Sequence, residues 1–124
     1  PSEGQKMSIG YSQSRSEVAD VATDGSNDRV TVELVEKYLD LTARAKEKAT
    51  PIPTSEGGGT DATRLADMLR MCDDYAADAR HFMETGDLVR AFGAINYAHA
   101  WLDAAVRIGL LDGHGDDQLF TLPP

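Results

Sequence analysis

Apolar residues recur every three or four positions in the first half of the chain, which predicts an amphipathic helix from about Thr31 to Ala49. Its apolar stripe consists of Leu34, Tyr38, Leu41 and Ala45. Either Thr31 or Asp28 has the side-chain oxygen that an N-cap requires. The following Thr50-Pro51-Ile52-Pro53 predicts the end of the helix, because proline lacks an amide donor and restricts the residue before it.

A second run with the same period begins at Thr60 or Asp61, after three consecutive glycines. Its apolar positions are Leu65, Met68, Leu69, Cys72, Tyr75, Ala76, Ala79, Phe82 and Met83. Gly86 then provides the left-handed residue that ends many helices, and Asp87 can cap a new one. The sequence therefore predicts a tight turn between two antiparallel helices.

The third predicted helix, from Asp87 to about Ile108, is apolar over more than half of its circumference. Leu88, Phe92, Ile95, Leu102 and Val106 lie on one side, and Tyr97, Trp101 and Ile108 lie on another. Such a helix must contact both other helices or cover a second subunit. We expect an all-α fold, an antiparallel three-helix bundle over residues 30–112. A flexible N-terminal tail spans residues 1–29, and a short C-terminal tail at 113–124 is apolar enough to fold back over the end of the bundle.

The composition and the net charge disfavour several classes of function. The 124 residues carry a net charge of −9, with 14 Asp and 7 Glu against 8 Arg and 4 Lys. This charge disfavours a simple nucleic-acid binder, and no stretch approaches the roughly 20 apolar residues of a membrane span. A surface rich in Asp and poor in Lys is typical of proteins kept soluble in concentrated salt. The single Cys72 cannot form an internal disulfide, which favours a reducing cytoplasm.

One segment carries a family resemblance. Residues 86–112, GDLVRAFGAINYAHAWLDAAVRIGLLD, and the preceding DDYAADARHFMET resemble the signature of a small archaeal family catalogued as domain of unknown function 357. The resemblance covers about residues 31–112. It implies a three-helix bundle of archaeal origin without an established activity, cofactor or substrate, and the Asp-rich composition agrees with a haloarchaeal member.

A polar band on the third helix is the candidate for chemistry. It consists of Asn96, His99, Asp103 and Arg107. His99 and Asp103 lie four residues apart, a spacing that suits either a general base oriented by a carboxylate or a structural hydrogen-bond ladder. No nucleophile or anion-binding glycine loop accompanies them, so we expect no enzymatic activity. His81, His99, His114 and Cys72 lack the spacing of a metal site, and we expect neither a specific metal nor a cofactor.

The other candidate is an interaction face comprising Ala94, Tyr97, Trp101 and Ile108. If the neighbouring helices leave it uncovered, it has the aromatic anchors of a protein interface; if they cover it, it is core. The leading hypothesis is a non-enzymatic interaction or self-associating module of an archaeal cytoplasm, with a homodimer or an unidentified cytoplasmic protein as partner. The alternative is a regulatory or processing factor in nucleic-acid metabolism that uses scattered arginines: Arg64, Arg70, Arg80, Arg90 and Arg107.

Overall fold

The computed structural model describes residues 27–53 and 59–124, and within this part the chain forms three helices. They are α1 (Val32–Lys48), α2 (Gly59–Glu84) and α3 (Leu88–Arg107). Two short strands, β1 (Thr50–Pro51) and β2 (Leu111–Asp112), follow α1 and α3. The predicted three-helix, all-α fold is confirmed. The predicted flexible tail lies outside the described residues up to position 26.

Local sequence signals set the helix ends. The Thr31 hydroxyl oxygen accepts a hydrogen bond from the Leu34 amide at 3.1 Å, so Thr31 rather than Asp28 is the N-cap of α1. Asp87 caps α3 in the same way, through the Arg90 amide at 3.1 Å. Gly86 takes φ +85°, a conformation that glycine adopts without strain. The predicted turn between α2 and α3 is therefore present.

The helices run up, down and up. The turn at Gly86 makes α2 and α3 antiparallel, while Tyr38 meets Phe92 and Thr42 meets His99 in the same order along α1 and α3. Contacts of α3 with α2 and with α1 are more extensive than those between α1 and α2. The third helix is thus the central element that its apolar circumference requires, and its fully buried residues include Ile95 and Leu102.

The two strands form a pairing that the sequence pattern did not predict. Thr50 pairs with Asp112 and Pro51 with Leu111 in antiparallel register, and the Ile52 amide donates to the Leu110 carbonyl at 2.9 Å. This short ladder ties the ends of α1 and α3 together.

Beyond the ladder, the C-terminal segment folds back over the bundle as expected. Leu110, Leu111, Leu119 and Phe120 are all buried in the same core cluster as the helices. In the described part of the chain, no helix combines the length and the hydropathy needed to cross a membrane.

Candidate interaction face

The two candidate groups lie on different sides of α3 and have different environments. Residues of the polar band face α1 and the C-terminal segment. Residues of the interaction face lie toward α2 and toward solvent.

His99 joins three parts of the fold. Its side chain is 1% exposed, with Nδ1 2.9 Å from the Thr42 hydroxyl of α1 and Nε2 2.7 Å from the Leu119 carbonyl oxygen. A carbonyl oxygen only accepts, so Nε2 donates to it, and the neutral ring can accept from Thr42 at Nδ1. Both ring nitrogens are therefore used by the protein itself, the arrangement of a structural histidine.

Two further members of the polar band hold the same segment. Asp103 accepts from the Thr121 amide at 2.9 Å and from the Thr121 hydroxyl at 3.3 Å. Arg107 donates to the Leu122 carbonyl at 3.4 Å. Asp103 Oδ1 lies 3.9 Å from His99 Nε2, beyond hydrogen-bond distance. The band therefore binds the backbone of residues 119–122, a target that the i, i+4 spacing alone did not reveal.

Asn96, the fourth member of the band, plays no part in this attachment. Its amide donates at 2.9 Å to the Phe92 carbonyl one turn earlier in the same helix. The structure thus brings together three of the four predicted band residues around one segment of chain.

An adjacent side of α3 presents a row that we call the outward stripe. It consists of the exposed residues Val89, Gly93, Tyr97, Ala100 and Ile108 and the half-buried Ala104. Val89 is 74% exposed, Tyr97 47% and Ile108 63%. Only Tyr97 and Ile108 of this stripe were predicted as members of an interaction face. Val89, Gly93, Ala100 and Ala104 were not, although the successive spacings of four, four, three, four and four residues were visible in the sequence.

Two predicted members of the interaction face lie at the edge of this stripe. Trp101 and Ala94 are half-buried and pack against the core. The Trp101 indole nitrogen is buried and has no hydrogen-bond partner among the described residues. Trp101 is therefore partly buried and partly exposed, so neither the core alternative nor the interface alternative describes it fully.

Edge-to-face ring contacts hold the exposed tyrosine. The ring centroid of Tyr97 lies 4.5 Å from that of Tyr75 on α2 and 6.1 Å from that of Trp101. Both pairs are nearly perpendicular, a geometry that aromatic rings prefer. The exposed ring of Tyr97 is thus held in position by its packing against Tyr75 and Trp101.

The outward stripe also differs in charge from its surroundings. The single carboxylate of α3 is Asp103, which is 15% exposed and bonded to Thr121. An exposed arginine, Arg90 or Arg107, lies near each end of the stripe. By contrast, the outer arc of α2 carries exposed acidic side chains at Asp67, Asp73, Asp74, Asp78 and Glu84.

Three of the five arginines of the nucleic-acid alternative have local acidic partners. Arg64, Arg70 and Arg90 each form an ion pair with an aspartate three residues earlier. These pairs are exposed and contribute little by themselves. The alternative stays a prediction that no observed contact favours.

The remaining titratable candidates are Cys72 and the side chains of the loop at residues 112–117, and their surroundings favour structural roles. Burial, and secondarily the negative charge of Asp73, raises the pKa of the Cys72 thiol to about 11, which favours the protonated thiol over the nucleophilic thiolate at neutral pH. In the loop at residues 112–117, Asp112 accepts from the His114 amide, and Asp116 accepts from the Leu119 amide and Lys48. Within residues 27–53 and 59–124, no three ligating side chains form a group suited to a metal ion.

An apolar groove of about 390 Å³ lies between the β1 segment and the first half of α2. Ile52, Leu65, Leu69 and Leu110 are among the residues that line it.

Comparison with known proteins gives one match. The model of a family described as "Protein of unknown function (DUF357)" matches residues 37–111. No curated protein and no solved structure matches the chain.

Proposed function

From the premise that the chain belongs to the DUF357 family, whose description gives no function, we propose that it is a non-enzymatic protein-interaction module that docks through the outward stripe of α3. One observation carries the proposal: Val89, Tyr97 and Ile108 are exposed along one side of the central helix, which has no exposed carboxylate there. A contiguous apolar row around an aromatic residue is the composition of a protein interface.

The arrangement of the stripe supports a specific contact. Single exposed apolar residues are normal on protein surfaces, but a row that follows one side of a helix is not. Tyr97 lies near its centre with its ring supported by Tyr75 and Trp101, as an anchor residue should be. A partner that covers the row removes this apolar area from water at about 25 cal/mol per Å².

The non-enzymatic part of the proposal is supported by His99, since both of its ring nitrogens bind the protein itself. The proposed setting is the cytoplasm of an archaeal, salt-adapted host. It is supported by the excess of Asp over Lys, and the free buried thiol of Cys72 is compatible with a reducing compartment.

Site-specific photo-crosslinking tests the proposal. Tyr97 is replaced by p-benzoylphenylalanine in the full chain, and Ala77, an exposed alanine on the outer arc of α2, receives the same group as a control. In extract of the host at its own salt concentration, we expect a discrete protein adduct from position 97 and none from position 77. Ala100→Glu, which puts a charge on the stripe, should abolish the adduct.

Adducts that form equally from both positions, or that survive Ala100→Glu, would show that the stripe is not the interface. The mass of the adduct separates self-association, at twice the mass of the chain, from binding to another protein.

A further inference from the structure

We infer that the occupant of the outward stripe is an amphipathic helix of another protein, with carboxylates near both ends of its apolar side. The inference rests on the proposed function and adds the chemistry of the partner.

The shape of the stripe favours a helix. Gly93, Ala100 and Ala104 flank Tyr97 with small side chains, and a Cβ built on Gly93 meets nothing within 4 Å. Small residues let a second backbone approach closely, and the stripe's steps of four residues, with one step of three, follow the i, i+4 row along which one helix packs against another. From Val89 to Ile108 the stripe is about 28 Å long, which fits a partner helix of about five turns.

The charges at its ends favour a partner with acidic flanks. The Arg90 side chain is 71% exposed and pairs with Asp87 at 3.4 Å, a solvent-exposed contact that contributes little and can exchange partners. Arg107 is exposed near the other end, where its one hydrogen bond within the protein is the long 3.4 Å contact to the Leu122 carbonyl. Since no exposed carboxylate of α3 lies between them, carboxylates spaced to match the arginines complement the stripe and lysines oppose it.

The same charges disfavour a second copy of α3. In an antiparallel pair centred on the stripe, Arg90 of one copy faces Arg107 of the other. In a parallel pair each arginine faces its equivalent, so both arrangements place like charges together. The outer arc of α2 is acidic but has no exposed apolar row to cover Tyr97.

Two synthetic peptides test the inference against the full chain. Both are 21-residue helices with the same leucine and alanine stripe, one flanked by glutamates and the other by lysines at the same positions. By fluorescence anisotropy in low salt, we expect the glutamate peptide to bind at least tenfold more tightly than the lysine peptide. The preference should shrink as salt is added, because exposed charges are screened.

Matched variants locate the binding. Ala100→Glu should weaken the glutamate peptide at least tenfold, while Ala77→Glu should leave it unchanged. The double variant Arg90→Ala/Arg107→Ala should abolish the preference between the peptides, while Arg80→Ala, at an exposed arginine on α2, should retain it. All of these positions are exposed, and circular dichroism checks that each variant is folded.

Equal binding of the two peptides, or binding of neither, would overturn the inference. If the position-97 adduct forms nonetheless and is lost in Ala100→Glu, the interaction function stands with a different class of partner. An adduct at twice the mass of the chain would identify a second copy as the occupant, which also overturns the inference while leaving the interaction function intact.

Discussion

The polar band and the outward stripe of α3 do not follow the usual rule that polar side chains are exposed and apolar side chains are buried. On one side, His99 and Asp103 are turned toward the protein and bind the main chain of residues 119–121. On the other, Val89, Tyr97 and Ile108 are turned toward solvent. The polar residues most suggestive of chemistry thus make hydrogen bonds within the fold, whereas these three large apolar side chains are exposed.

The difference has a physical basis. A buried polar group must find a partner or cost free energy, and the C-terminal segment supplies those partners. An exposed apolar side chain costs little folding free energy because it is equally exposed in the unfolded chain. Stability therefore requires the polar band and does not require the outward stripe, so mutations should separate the two sides.

The largest expected effect compares a buried leucine with an exposed isoleucine of α3. Leu102 is fully buried, so Leu102→Ala should lower the free energy of unfolding by about 2–5 kcal/mol through lost burial and a cavity. Ile108 is 63% exposed, and Ile108→Ala should change it by no more than about 0.5 kcal/mol. Urea unfolding at fixed salt measures both, and a loss at Ile108 close to that at Leu102 would show that the stripe is packed in the folded monomer.

An effect of similar size is expected at His99. Its replacement by alanine leaves the Thr42 hydroxyl and the Leu119 carbonyl without their partner, and each buried unsatisfied group costs about 1–3 kcal/mol. The C-terminal segment should loosen first, so the Thr121 amide should exchange its hydrogen faster. Asn96→Ala is the control, because Asn96 bonds to a carbonyl of its own helix. Unchanged exchange at Thr121 in His99→Ala would contradict the attachment role.

The helices could be predicted from the sequence because their signals are local. Thr31 and Asp87 are caps within three residues of the amides they bind, and the turn at Gly86 depends on its immediate neighbours. The centrality of α3 followed from its apolar circumference. These features need no knowledge of distant residues.

The contacts of the polar band could not be predicted in the same way. His99 binds Thr42, 57 residues away in the sequence, and the β1–β2 ladder joins Thr50 to Asp112, which are separated by the whole of α2 and α3 along the chain. The i, i+4 spacing identified residues on one side of α3 without showing which backbone they face. The prolines of the β1 segment indicated a helix end and gave no sign of strand pairing.

Alanine substitutions at two glycines, one beside the C-terminal segment and one on the outward stripe, should change the free energy of unfolding in opposite directions. A Cβ on Gly113 would lie 2.9 Å from the Phe120 ring, so Gly113→Ala should lower the free energy of unfolding by about 1–3 kcal/mol through overpacking. A Cβ on Gly93 meets nothing within 4 Å, so Gly93→Ala, inside α3, should raise it by about 0.4–1 kcal/mol. Urea unfolding of the two variants tests the pair, and destabilisation by Gly93→Ala would mean that the stripe is already covered.

The smallest expected effect is pH-dependent and belongs to the C-terminal side. The Lys48 ammonium lies 2.9 Å from Asp116 and, by this hydrogen bond, lowers the pKa of that carboxyl below its ordinary value. A lowered native pKa means that the unfolded chain takes up the proton first as pH falls. The ion pair therefore stabilises the fold at pH values above the pKa of Asp116 in the unfolded chain. This stabilisation is lost as the pH falls through the lower pKa that Asp116 has in the folded protein. Lys48→Met should reduce the free energy of unfolding near neutral pH, with the difference from the unmodified chain shrinking below about pH 4.

Ile108→Ala is the control from the outward stripe, where no charge is lost, so its effect should be the same at both pH values. A Lys48→Met difference that persists undiminished in acid would show that the lysine acts through packing of its aliphatic stem rather than through its charge.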